Sequence, residues 1–152
     1  MRGARLLLFR VLAIALAARA ADEPLVGQWR TVEDPSTGVV SIIELYLEGE
    51  TMSGRVERIE DPSGKPLFPI CERCPGDMRG KPLPGLRFLS GLRKEGDRWV
   101  GGRAIDLRDG LTQGFAATCD LALVDGKAVL RAWVGLRALG ETRVWTRETP
   151  RR

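Results

Sequence analysis

No histidine occurs anywhere in the chain, and that absence removes more chemistry than any one residue adds. Ser-His-Asp and Cys-His catalysis have no base, and zinc, iron or copper sites ligated by imidazole cannot be built. Cysteine is scarce: Cys71, Cys74 and Cys119. Cys71-Glu72-Arg73-Cys74 is followed by Pro75, so the c-type haem attachment motif is not completed. No cysteine follows the apolar run near the start, which argues against a lipid-anchored lipoprotein. No second long apolar segment exists, so no membrane span is expected once the first residues are removed.

What is present at the start reads as an export signal. Arg2, Arg5 and Arg10 make a basic opening, Val11 to Ala18 is an apolar run too short to cross a bilayer, and Ala18-Arg19-Ala20 fits a small-x-small cleavage site. A buried N-terminal helix is the competing reading. The expectation is a signal peptide over 1–20, cleaved near Ala20, and a periplasmic or secreted mature chain over 21–152. That leaves 132 of 152 residues, enough for one domain with a real core. Of the 24 basic residues, Arg2, Arg5, Arg10 and Arg19 fall in the signal, which leaves 20 against 20 acidic ones. The basic balance belongs to the signal, so it is no argument for a nucleic-acid partner.

The mature chain is patterned as short strands with turns between them. Val39 to Glu48 is rich in β-branched residues, with Ile43, Leu45 and Leu47 on one face and Ile42, Glu44, Tyr46 and Glu48 on the other. Gly49-Glu50 links it tightly to Thr51–Glu60. Further strands are expected at Gly27–Val32, Leu86–Arg93, Arg98–Leu107, Leu111–Val124, Ala128–Val134 and Thr142–Arg147, with Asp125-Gly126 as a hairpin signal. Glycines inside these runs suit the bends a small barrel needs. Asp61 to Gly85 holds six prolines and four glycines. No regular element is expected there, only a loop that is functional or disordered. Leu136–Leu139 suits one short turn. A tryptophan on the first strand, Trp29, and Arg143 or Arg147 on the last suit a sheet that closes on itself. The expected fold is therefore all-β: one closed or nearly closed antiparallel up-and-down barrel of about eight strands.

Gly27-Gln28-Trp29, Cys71-x-x-Cys74-Pro75-Gly76, Lys81-Pro82-Leu83-Pro84-Gly85-Leu86, Trp99-Val100-Gly101-Gly102, Asp109-Gly110 and Leu130-Arg131-Ala132-Trp133-Val134-Gly135 occur in this order. In that order and spacing, from about Gly27 to Arg147, the chain resembles the small exported bacterial proteins catalogued as domain of unknown function 2147. Members usually carry Asp-Pro before the Asp-Gly turn and a tyrosine after it; here Leu107 and Phe115 stand near those places. The resemblance implies a lipocalin-like barrel in the periplasm and no established reaction. In lipocalins the first-strand tryptophan packs at the closed end under an arginine from a late strand, the role expected of Trp29 with Arg143 or Arg147.

Cys71 and Cys74 are expected to pair in an oxidising compartment and brace the proline-rich loop. A thiol redox site lacks the helix N-terminus that lowers a thiol pKa, and a metal site lacks the other half of its ligands. Cys119 is then left as a buried thiol, a reactive one or an intermolecular partner. Tyr46, Trp99, Arg103, Arg131 and Trp133 are the candidate cavity residues, since aromatics and arginines of shared parity suit an amphipathic ligand with a carboxylate or phosphate. The competing reading has the aromatics filling the core and the arginines facing water. Glu57, Glu60, Asp61, Asp106 and Asp109 are read as turn and surface residues rather than a carboxylate pair. Three functions follow. The first is a barrel binding a small apolar or amphipathic molecule. The second is an envelope interaction or structural module, with a filled barrel and an envelope protein partner. The third is a Cys71/Cys74 redox protein. No cofactor is expected, and no catalytic constellation.

Overall fold

In the computed structural model, which describes residues 22–149, nine strands form one antiparallel sheet. They are β1 (Gly27–Asp34), β2 (Val39–Glu48), β3 (Thr51–Glu60), β4 (Pro66–Leu67), β5 (Arg87–Glu95), β6 (Arg98–Ile105), β7 (Ala116–Val124), β8 (Lys127–Trp133) and β9 (Glu141–Arg147). The order β2-β1-β9-β8-β7-β6-β5-β3-β4 is closed by the pairing of β2 with β3. Eight strands make a closed up-and-down barrel, and β4 is a two-residue addition along β3. The expected fold class is the fold of the chain. The signal-like segment 1–20 lies outside the described residues.

The two ends of the barrel differ. At one end the strands are joined by two-residue turns at Gly49-Glu50, Gly96-Asp97 and Asp125-Gly126. Asp125 and Gly126 both take positive φ, 49° and 73°, as a twisted two-residue hairpin requires. The longer connections, 61–86, 106–115 and 134–140, gather at the other end. The interior near the tight turns is filled: Leu25, Trp29, Leu45, Met52, Leu89, Leu92, Trp99, Cys119 and Leu121 are all buried in one cluster. A second cluster of Val56, Ile59, Cys71, Cys74, Leu83, Leu86 and Ile105 lies on the side of the 61–86 segment.

Bulges set which residues face inward. Leu89 pairs with Ala104 and Ser90 with Arg103, yet the next pair is Arg93 with Val100. Both strands thus take a three-residue step, with Gly91 and Gly101 at φ 73° and 68°. The step keeps Leu92 and Trp99 in the core on an odd offset from Leu89 and Gly102. Gly102 is required by crowding, because a Cβ there would stand 2.5 Å from Leu92 Cγ.

The segment 61–85 departs from expectation. It holds β4, a single 3-10 turn at Gly76–Met78 and a bridge between Ile70 and Pro82. Cys71 N–H donates to Lys81 O at 2.9 Å, Gly80 N–H to Cys71 O at 2.8 Å and Leu83 N–H to Pro69 O at 2.7 Å. Prolines are tolerated because they sit at edge and turn positions, where their missing N–H leaves no ladder unfilled. β7 also starts five residues later than expected. Asp106 N–H donates to Phe115 O and Gly114 N–H to Asp106 O, which turns residues 106–115 into a compact loop before the strand begins. Leu136–Leu139 holds one 3-10 turn, Arg137–Leu139.

Candidate functional site

The long-connection end of the barrel is open. A cavity of about 1080 Å³ enters it, lined by the mouth-side ends of the strands and by the loops between them. Its volume stands at the upper end of the range typical of small-molecule sites, roughly 300–1,000 Å³. Phe88 and Trp145 meet edge to face in its wall, ring centroids 6.2 Å apart. Ile43, Val56, Ala104, Ile105 and Leu130 complete an apolar lining, and Ile70, Phe115, Val134 and Leu139 stand exposed at its rim. Large apolar side chains grouped around an apolar opening are unlike singly scattered surface hydrophobics, which need no explanation.

The polar part of the wall is confined. Thr31 on β1, Ser41 on β2, and Glu141 and Arg143 on β9 line the cavity. Ser41 is 4% exposed and pairs with Thr31 in the β1–β2 ladder. Arg143 donates to Glu141 Oε2 at 3.2 Å. On the loop side, Asp106 accepts from Arg108 at 2.8 and 2.9 Å and from Thr112 at 2.9 Å. Burial works to raise the Asp106 carboxyl, but the Arg108 and Thr112 hydrogen bonds outweigh it and hold it below the ordinary aspartate value.

At the closed end, Arg147 lies over the Trp29 ring, 3.9 Å from guanidinium carbon to centroid. Arg147 also donates to Val26 O at 3.0 Å and to Pro24 O. Burial pulls its pKa below the ordinary arginine value. The Trp29 indole N–H donates to Leu25 O at 2.8 Å, so the segment before β1 folds across the barrel end as a plug. Lys94 pairs with Glu23 of that plug. Of the two arginines considered for closure, Arg147 takes that place and Arg143 does not. Arg143 shares the inward parity of Trp145 and Arg147 but stands at the opposite, open end.

The expected cavity set is brought together only at one residue. Trp133 lines the mouth, with the Arg137 guanidinium 5.3 Å from its ring centroid. Trp99 is core near the closed end; its indole N–H has no partner among the described residues. Tyr46 lies on the outer face beside Arg55, 5.6 Å from ring centroid to guanidinium. Arg131 bonds Thr142 and the carbonyls of Arg137 and Ala138, and does not line the cavity. Arg103 is exposed because the Gly101 bulge inverts its parity relative to Trp99. Sequence reasoning missed Ser41 and Phe88 as wall residues. The signal for Ser41 was the β2 alternation itself, which puts it two residues from Ile43.

Cys71 and Cys74 form a disulfide, and both are fully buried. The 71–74 turn locks against the 106–115 loop: Arg73 N–H donates to Gln113 Oε1 at 3.1 Å, and a Cβ on Gly114 would stand 2.2 Å from Arg73 O. Cys119 is a free buried thiol whose pKa is pushed up to about 12 by burial, with Asp120 adding to it. It is therefore protonated and inert at neutral pH. No group of three or more acidic, cysteine or histidine side chains able to hold a metal occurs among the described residues. Glu57, Glu60 and Asp61 do not line the cavity; Asp109 does, at its exposed rim.

No curated protein and no solved structure matches the chain. One family model, described as an uncharacterized protein conserved in bacteria, matches residues 27–147. That span is the whole barrel from the first residue of β1 to the last of β9, and the chain belongs to this bacterial family, DUF2147.

Proposed function

We propose that the protein is an exported binding barrel that takes a small apolar or amphipathic molecule into its open end. The observation that carries this reading is the cavity of about 1080 Å³, walled by Ile43, Phe88, Leu130 and Trp145 and rimmed by exposed apolar side chains. A barrel whose only task is structural gains nothing from leaving such a volume unfilled, because unfilled volume costs packing energy. One observation weighs against a Cys71/Cys74 redox role. Thiol–disulfide exchange needs an attacking thiolate to reach a sulfur, and both cysteines are fully covered. Export is supported by the basic, apolar and small-x-small pattern of residues 1–20 and suits a chain with a disulfide.

The test is titration with N-phenyl-1-naphthylamine, a neutral probe whose fluorescence rises in apolar surroundings. The protein expressed with its own first 20 residues is expected in the periplasm, starting at Ala21, and should bind the probe saturably at one site. Ala132→Phe, which places a ring in the cavity wall, should weaken binding by about tenfold or more. Probe fluorescence that never saturates, or that ignores Ala132→Phe in a folded variant, would remove the cavity as a ligand site. Recovery of the protein only from the cytoplasm would remove the export part of the reading.

A further inference from the structure

We infer that the ligand is an amphipathic acid, whose anionic head is held by Arg143 with Ser41 and Thr31 while its apolar body lies on Ile43, Phe88, Leu130 and Trp145. This rests on the cavity being a ligand site and adds the head group. The inward-facing strand residues of the cavity are apolar or uncharged except on β9, where Arg143 stands two residues from Trp145 and Glu141 two residues further out. Arg143 is thus the charged strand residue nearest the aromatic wall. Its described partner is Glu141, whose side chain is 64% exposed against 34% for Arg143. A pair this open to water is weak and exchangeable.

Ser41 is the second, independent observation. It is 4% exposed and lines the cavity, two residues along β2 from Ile43 on the same face. A hydroxyl on a cavity wall can donate one hydrogen bond to a ligand oxygen there. Ser41 is on β2 and Arg143 on β9, with Thr31 on β1 between them. Thr31 pairs with Ser41 and the β1–β9 register sets it level with Trp145, so Arg143 lies two strand spacings across and two residues along from Ser41, about 12 Å between backbones, a gap that a long arginine side chain and a carboxylate together cross. A carboxylate accepts two bonds from a guanidinium and a third from a hydroxyl, which satisfies both groups at once. An ammonium head would face Arg143, and a neutral head would leave the guanidinium with Glu141. The loop carboxylate Asp106 does not compete for a cation, because Arg108 and Thr112 already occupy it. Arg103 and Arg131, outside the cavity, do not compete for an anion.

The experiment displaces bound N-phenyl-1-naphthylamine with decanoate, decanol and decylamine at pH 7.5, three chains that differ in the head alone. Decanoate should compete about tenfold better than the other two, the effect expected of one charge-assisted contact at a partly wet site. In Arg143→Gln, decanoate should fall to the level of decanol in the same variant, and Ser41→Ala should lower the preference part of the way. Glu141→Gln should shift the other way, because the competing carboxylate is gone, and raise decanoate affinity over wild type. A merely structural Arg143 would not produce opposite shifts in two members of one ion pair. Equal displacement by all three heads, or a decanoate preference that survives Arg143→Gln, would overturn the head-group assignment and leave the cavity reading standing. Absence of saturable probe binding would overturn both.

Discussion

Trp29 concentrates several roles in one side chain. It is fully buried, donates its indole N–H to Leu25 O and carries the Arg147 guanidinium on its face. Truncation would remove a large apolar volume, release the plug before β1 and strip the guanidinium of its ring. A cation over an aromatic face contributes roughly 0.5–2 kcal/mol. Trp29→Ala should destabilise the protein by about 3–5 kcal/mol, the usual cost of deleting a buried large aromatic. Urea unfolding followed by circular dichroism measures this. A midpoint close to wild type would mean that the barrel does not depend on this closure. Trp133 is half-buried at the mouth, against Arg137.

At the scale of elements, the two mouth loops act as one unit. The disulfide turn 71–74 and the loop 106–115 share Gln113, whose Oε1 accepts from Arg73 N–H and whose Nε2 donates to Leu107 O at 3.4 Å. Asp106 organises the second loop through Arg108 and Thr112 and is held below its ordinary pKa of 3.8. A depressed carboxylate stabilises the fold above its unfolded pKa, and that contribution is lost as pH falls through the lower folded value. The loop should therefore keep its order from neutral pH down to about 4 and loosen in stronger acid. Hydrogen exchange of amides 106–115 at pH 6 and pH 3, corrected for intrinsic rates, reads this directly. Protection that is equal at both values would show that Asp106 does not hold the loop. Asp106→Asn should remove the pH dependence and leave the loop loosened throughout.

These loops also show where the sequence was legible and where it was not. β2 and β3 were readable to the residue, because alternation and β-branching act locally and tight turns bound both strands. Closure by Trp29 and a β9 arginine was implied by the family resemblance, and parity left Arg143 and Arg147 equal, because parity says nothing about height along the barrel. Arg103 was misplaced by one inserted residue at Gly101, and a bulge is invisible to a period-two count. The order in 61–85 was illegible for a different reason. Its hydrogen bonds run between residues such as Cys71 and Lys81 or Pro69 and Leu83, pairs that only the folded loop brings together.

For the whole molecule, the weak place is the seam where the last strand meets the first. β1 and β9 exchange only the pairs Trp29–Arg147 and Arg30–Thr146, whereas β2 and β3 pair along nine positions. At the closed end, Arg147 over Trp29 covers this seam. Outside, Glu148 just beyond β9 donates its N–H to Gln28 O and accepts from Arg30 at 2.9 Å and Arg58 at 3.0 Å. Arg30 and Arg58 flank Ile42 in the ladder, and Ile42 is fully buried although it faces outward. Glu148 thus ties β1 and β3 to the end of β9 through a carboxylate that is 5% exposed between arginines about one-third exposed. Removing it leaves two guanidiniums without their shared acceptor, a loss of about 1–3 kcal/mol by the usual worth of charged hydrogen bonds. Glu148→Ala should lower the unfolding midpoint accordingly and raise hydrogen exchange first in Gln28–Arg30 and Trp145–Arg147. The β2–β3 hairpin should stay protected, because its ladder is complete without the seam. Exchange that rises evenly around the barrel would instead mean that closure is a property of all eight strands together and that the seam has no separate stability of its own.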